Sequence, residues 1–164
     1  WERPVGLAEA YRVILDQAPD RFVAAIRLVA EADRPTVVHC AAGKDRTGIV
    51  VALVLGLLGV NDRDICDDYA LTSEVSPQLR QQLEARAVDP RWADQFAPAR
   101  SRPDWGQLVA ELTSARYGTM AALLDELRGR YGTILAWALH YGLDPAEVTA
   151  LRHRLVTRGE LLAS

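Results

Sequence analysis

A cysteine and an arginine stand six positions apart in the run His39-Cys40-Ala41-Ala42-Gly43-Lys44-Asp45-Arg46-Thr47-Gly48. That spacing lets the backbone curl so that successive N–H groups face one bowl, and such a nest of amides binds an oxyanion without help from side chains. The stretch from Thr47 through Leu58 is apolar and competent to form a helix. The bowl therefore opens at a helix N-terminus, where unpaired N–H groups and the positive end of the dipole favour an anion. Arg46 can grip two oxygens of a phosphate with its planar fork, a geometry that lysine lacks. Cys40 lies at the floor of the bowl. Amides, a helix N-terminus and a nearby guanidinium lower a thiol pKa from about 8.5 by several units. The resulting thiolate can attack phosphorus and form a cysteinyl-phosphate, which water then hydrolyses.

The neighbouring residues take supporting roles in this scheme. His39 is read as tuning the thiol through hydrogen bonds to loop carbonyls, not as a base. The Thr47 hydroxyl can donate to sulfur and ease its departure in the second step. Gly43 suits a backbone angle that other residues avoid, or a close approach to the anion. Ala41, Ala42, Gly43 and Lys44 are expected to bind the phosphate of the substrate. A lone cysteine after a short strand is more often a small core residue; here His, Cys, Gly, Arg, Thr and Gly all fall where the chemistry wants them. No cofactor or metal is expected. His140 and His153 are read as packing or surface residues, since no metal-ligand spacing joins them.

The loop resembles that of the cysteine-dependent protein tyrosine phosphatases. Its interior Gly43-Lys44-Asp45 is similar to an atypical bacterial branch with HCxxGKDRTG loops, which includes mycobacterial, dual-specificity and lipid-active members. Leu58-Gly59-Val60 with Ile65, Asp68 and Tyr69 continues the likeness, and so do Tyr131-Gly132, Gly142-Leu143 and Leu151-Arg152. The resemblance implies an α/β cysteine-phosphatase fold and removal of phosphate from phosphotyrosine, with phosphoserine, phosphothreonine and phosphoinositides as further substrates. It also implies that Asp45 is the general acid, its proton held by the neighbouring bound phosphate. The other reading of Asp45 is a loop-structuring carboxylate paired to Lys44 or Arg46. Asp16, Asp20 and Asp33 lie upstream without a recognisable acid loop, and Asp89 lies on the wrong side of the cysteine. Members of the family also carry more sequence upstream of the loop. The chain begins at Trp1, so a single, N-terminally incomplete domain over 1–164 is expected.

Composition narrows the partners. The net charge of −3 gives no general attraction to nucleic acid or to an anionic membrane. With 49% hydrophobic residues the chain can build a core, yet its longest apolar run is too short to cross a bilayer. Cys40 and Cys66 do not make a disulfide framework, and Cys66 reads as a helix-core thiol. The resemblance implies a bacterial protein, cytoplasmic or secreted, with the N-terminus deciding between the two. Of 19 basic residues only Lys44 is a lysine. A sole lysine inside the loop either reaches a second phosphate, as on an inositol ring, or balances Asp45. Three functions compete: a phosphatase of broad substrate range, a dedicated phosphoinositide phosphatase, and a phosphate-binding module without turnover.

The elements that must hold the loop can be read from periodicity. Residues 5–17 and 19–32 carry helical spacing. Pro35 breaks that pattern, and Thr36-Val37-Val38-His39 reads as a short strand leading into the loop, the rest of its sheet being expected in N-terminal sequence. A buried helix is expected over 47–58, a helix capped by Asn61 through about Thr72, and another from Ser76 to about Ala87. Residues 89–103, with three prolines, read as a loop in which Trp92 and Phe96 are exposed. The resemblance makes 76–116 a lid over the site. Arg116-Tyr117-Gly118-Thr119 recurs as Arg130-Tyr131-Gly132-Thr133, each copy reading as a glycine helix stop followed by a threonine cap. Asp144-Pro145-Ala146-Glu147 opens the last helix with a capping box.

Overall fold

The structure, a computed structural model, describes residues 6–156. Ten α-helices order the described residues: α1 (Leu7–Gln17), α2 (Pro19–Glu31), α3 (Asp45–Leu58), α4 (Asp62–Leu71), α5 (Ser76–Val88), α6 (Ala93–Arg100), α7 (Trp105–Thr113), α8 (Tyr117–Tyr131), α9 (Ile134–His140) and α10 (Pro145–Leu155). A 3₁₀ turn, Thr72–Val75, joins α4 to α5. The expected start of the first helix at Val5 lies outside the described residues.

α3 is the axis of the core. Its sequence is apolar on nearly every side, and Ile49, Val50, Ala52, Leu53 and Leu57 are buried. Each fully buried Leu or Ile contributes about 1.5–3 kcal/mol relative to exposure. α1, α2, α4, α9 and α10 all pack on it, and α8 closes the bundle against α1 and α4. These helices present one apolar face each, as their spacing requires: Tyr11 and Leu15 from α1, Phe22, Val23, Ile26 and Ala30 from α2, and Ile65, Cys66 and Tyr69 from α4. α9 comes close because Gly56 has no side chain; a Cβ there would stand 2.2 Å from Ile134 Cδ1. Gly59 ends α3 at φ 91°, in the left-handed region. The Asn61 side chain accepts from Asp64 N, and Asp144 and Glu147 form the expected capping box.

Several expectations need correction. The fold is not α/β over the described residues: 32–44 carry no regular element and no strand is formed among them. Thr36 to His39 have β-branched character but no neighbouring backbone to complete a ladder, and propensity alone does not make a strand. Val38 packs on the core while Val37 is 83% exposed. The stretch 89–103 is not all loop, since it contains α6 with Pro98 inside the helix. Trp92 and Phe96 are half-buried there, not exposed. The first Arg-Tyr-Gly-Thr copy starts a helix: Arg116 is the N-cap of α8 and Gly118 and Thr119 lie in its first turn. The second copy behaves as expected, with Gly132 at φ 79° and Thr133 accepting from Ala136 N.

α5, α6 and α7 form an arm beside this core. α5 buries only Ala87, α6 buries nothing, and α7 buries Val109 and Thr113. The arm's roots are tied by hydroxyls: Ser73 Oγ donates to Ala115 O at 2.7 Å and Ser76 Oγ to Thr113 O at 2.9 Å.

Candidate active site

The sequence from Cys40 to Thr47 wraps the start of α3, with Lys44 as its N-cap and Asp45 as its first residue. Gly43 turns the loop at φ 67°, a left-handed conformation that most side chains resist. A Cβ at Gly43 would meet nothing within 4 Å, so the glycine answers to the backbone angle and not to crowding. The turn brings the loop round Cys40, which is half-buried. Burial by itself would raise the thiol pKa. The Thr47 hydroxyl and the backbone N–H groups of Thr47, Ala42 and Lys44 more than reverse this and bring it down to about 6. The thiolate is thus favoured by amide dipoles converging at the helix N-terminus. The Thr47 hydroxyl is buried and completes no hydrogen bond of full geometry, yet it acts electrostatically on the sulfur.

The remaining expected residues occupy distinct places. Ala41, Ala42 and Gly43 are exposed on the rim. Arg46 is exposed and makes no ion pair among the described residues, which leaves its guanidinium available to an incoming anion. His39 is exposed, with Nδ1 only 3.4 Å from the Cys40 carbonyl. Lys44 points inward and is 1% exposed. Its Nζ donates to Asp45 Oδ1 at 2.5 Å and reaches the Tyr11 hydroxyl at 3.4 Å. The ammonium therefore balances Asp45 in this conformation and does not stand at the mouth. Of the other carboxylates weighed as acids, Asp16 is paired with Arg12 and Arg130, and Asp89 with Arg91. Asp20 and Asp33 are exposed on the surface.

Two functional candidates were not visible as such in the sequence. Tyr11 donates to Asp45 Oδ1 at 2.7 Å, and its hydroxyl lies 2.6 Å from that of Tyr69. Both tyrosines sit on apolar faces of their helices, four residues from Leu15 and Ile65. The available signal was that a buried phenol needs a polar partner.

A cavity of about 250 Å³ opens beside the loop, lined by Ala41 and Ala42 on one side and by Leu79, Leu83, Trp92 and Phe96 of the arm on the other. Arg86 lies over the Trp92 ring at 4.3 Å on the same wall. No group of three or more metal-ligating side chains occurs among the described residues. No described helix is long and apolar enough to cross a membrane.

A family model described as "tyrosine phosphatase family" matches residues 3–157. The chain belongs to the tyrosine phosphatase family. It is 32% identical over 121 residues to a protein of Mycobacterium tuberculosis named triple specificity protein phosphatase PtpB, covering 74% of this chain and 44% of that protein. It is 31% identical over 157 residues to a tyrosine-protein phosphatase of Nostoc commune, covering 95% of this chain and 51% of that one. A shorter match, 39% over 57 residues, joins it to a putative tyrosine-protein phosphatase of Cupriavidus necator, covering 35% of this chain and 21% of that protein. This tyrosine phosphatase family chain spans about half the length, or less, of the curated relatives it matches.

Proposed function

We propose that the chain carries the phosphate-handling centre of a phosphomonoesterase that works through a cysteinyl-phosphate. The observation that carries this reading is the convergence of the backbone N–H groups of Thr47, Ala42 and Lys44 on Cys40 at the start of α3. In the first step the Cys40 thiolate forms a bond to phosphorus while the bond from phosphorus to the ester oxygen breaks. The departing oxygen takes a proton from Asp45, and Arg46 with the loop amides holds the phosphoryl oxygens. In the second step water attacks phosphorus, giving its proton to Asp45, and the sulfur leaves as a thiolate eased by Thr47.

Phosphotyrosine is the first substrate class, with phosphoserine, phosphothreonine and phosphoinositides as further ones. The cavity between Ala41–Ala42 and the arm is of a size to take an aryl ring, and its apolar walls suit one. The name of the Mycobacterium tuberculosis relative, with its triple specificity, supports the wider range. Residues 76–116 act as a lid over this cavity, closing on the substrate and excluding water. The burial of Lys44 on Asp45 gives no support to a dedicated phosphoinositide enzyme, which relied on a free lysine at the mouth.

The test is hydrolysis of a small aryl phosphate by the intact protein and by its Cys40→Ser variant. Turnover that falls to background in Cys40→Ser, with affinity for an oxyanion retained, is the expected result. Substantial turnover without the thiol would overturn the mechanism. An intact protein that binds phosphate but hydrolyses nothing would make the chain a binding module.

A further inference from the structure

Asp45 is held by more than its neighbour in sequence. Tyr11 reaches it from α1, and Tyr69 from α4 stands behind Tyr11, their rings edge to face at 6.1 Å. Both phenols are buried, at 0% and 4% exposure. The order of protons in this chain follows from counting donors. A phenol has one proton, and that of Tyr11 goes to Asp45 Oδ1. The contact between the two hydroxyls must then be filled by the proton of Tyr69. Lys44 Nζ donates to the same oxygen of Asp45. Two donors, the Tyr11 hydroxyl and Lys44 Nζ, thus point at Oδ1, and among the described residues no hydrogen-bond donor holds Oδ2. The Asp45 side chain is still 33% exposed, so the carboxyl group is not sealed in the core.

The seat of Tyr69 is built into the phosphate loop itself. A Cβ on Gly48 would stand 2.9 Å from Tyr69 Cδ2 and Cε2, so the glycine at the start of α3 leaves the space that the ring fills. Two core tyrosines that merely needed a polar partner would not require the loop to give way to one of them.

We propose that Tyr11 and Tyr69 are positioning residues for Asp45: by fixing Oδ1 they aim Oδ2 at the leaving oxygen of the substrate. This rests on the phosphatase reading above. The proton that passes to the leaving group departs from Oδ2 as the bond from phosphorus to oxygen breaks. The negative charge left on the carboxylate is met at Oδ1 by Tyr11 and by Lys44, with Tyr69 behind Tyr11. Burial first of all keeps both phenols protonated, Tyr69 up to about 12 and Tyr11 higher still, so both remain donors through the working pH range.

The experiment compares two esters in the intact protein. Phenyl phosphate has a poor leaving group that needs a proton; 2,4-dinitrophenyl phosphate has a good one that does not. Tyr11→Phe is expected to lower kcat/KM, which reports the step in which the leaving group departs, on the order of tenfold with phenyl phosphate and by less than about threefold with the dinitrophenyl ester. Tyr69→Phe should show the same pattern with a smaller loss, and it carries the test if Tyr11→Phe does not fold. Vanadate affinity should be unchanged in both, and Tyr11→Phe should add nothing to Asp45→Asn. Equal losses on the two esters, or additive losses in the double variant, would overturn the proposal while leaving the phosphatase reading standing. An intact protein that hydrolyses neither ester would overturn both.

Discussion

The core around α3 and the arm of α5, α6 and α7 solve opposite problems with similar building blocks. Every helix of the core places at least two apolar or aromatic side chains in the interior. In the arm α6 places none and α5 a single alanine. The central cluster of buried side chains includes nothing between Tyr69 and Ala115. The phosphate loop grows from the first region and meets the second across the cavity. One wall of the site is thus fixed by tight packing, and the other by few buried groups and two hydroxyl ties. Segments with little buried apolar surface open at low free energy. On the mechanism proposed above, the difference puts precision around the thiol, and not around the group that the phosphate is attached to.

The sharpest way to break this contrast is at the loop. Arg46→Lys keeps the charge and loses the fork, and the fixed backbone cannot move to compensate. Its kcat on an aryl phosphate should fall about 10²-fold, the scale of losing one oriented donor to a transition-state oxygen. A loss of only a few-fold in steady-state kinetics would mean that the loop is as adaptable as the arm.

The core side of the comparison is tested by stability. Leu53 is 1% exposed at the centre of α3, and Leu53→Ala should destabilise the fold by about 2–5 kcal/mol in chemical denaturation. A loss below about 1 kcal/mol there would show that α3 is not the axis of the core.

The two cysteines carry the same contrast at the scale of one atom. Cys40 is lowered to about 6: burial alone would raise it, and Thr47 and the loop amides overcome that. Cys66 is 1% exposed in the core and is raised, by burial first and then by Asp62, Asp67 and Asp125. A lowered thiol is protonated below its pKa and reactive above it. Alkylation of Cys40 should therefore rise as pH increases through about 6. Cys66 should resist until well above neutrality or until the fold opens. Thr47→Val removes a hydroxyl that favours the thiolate and should move the Cys40 midpoint upward. An unmoved midpoint would assign the lowering to the amides alone.

How much of this was legible in the sequence depended on distance along the chain. The turn of the His39–Gly48 loop into α3 could be read because its parts lie within ten consecutive residues, and the caps Asn61, Thr133 and Asp144 because capping is a local matter. Thr36 to His39 misled, because β-branching is local but a ladder is not. α6 was hidden by its proline. The first Arg-Tyr-Gly-Thr copy was misread because the same four letters start a helix where the preceding one, α7, has already ended at Thr113. Tyr11 lies 34 residues before Asp45, and Tyr69 meets Tyr11 across 58. No spacing rule joins them; only packing does.

The smallest expected effect belongs to the arm. Leu83 lines the cavity from α5 and is half-buried. Leu83→Ala removes part of one wall without opening a closed core, so its effect on stability should stay within about 1 kcal/mol. The same change withdraws apolar surface from an aryl group lying against it, in the substrate complex and the transition state alike. Interactions of equal strength in both states act on KM and leave kcat alone. A few-fold rise in KM for an aryl phosphate at nearly constant kcat is therefore expected. With a small alkyl phosphate, which does not reach α5, Leu83→Ala should change nothing. A loss of kcat as large as that of Arg46→Lys would place the arm among the rigid parts of the site and remove the distinction between its two walls.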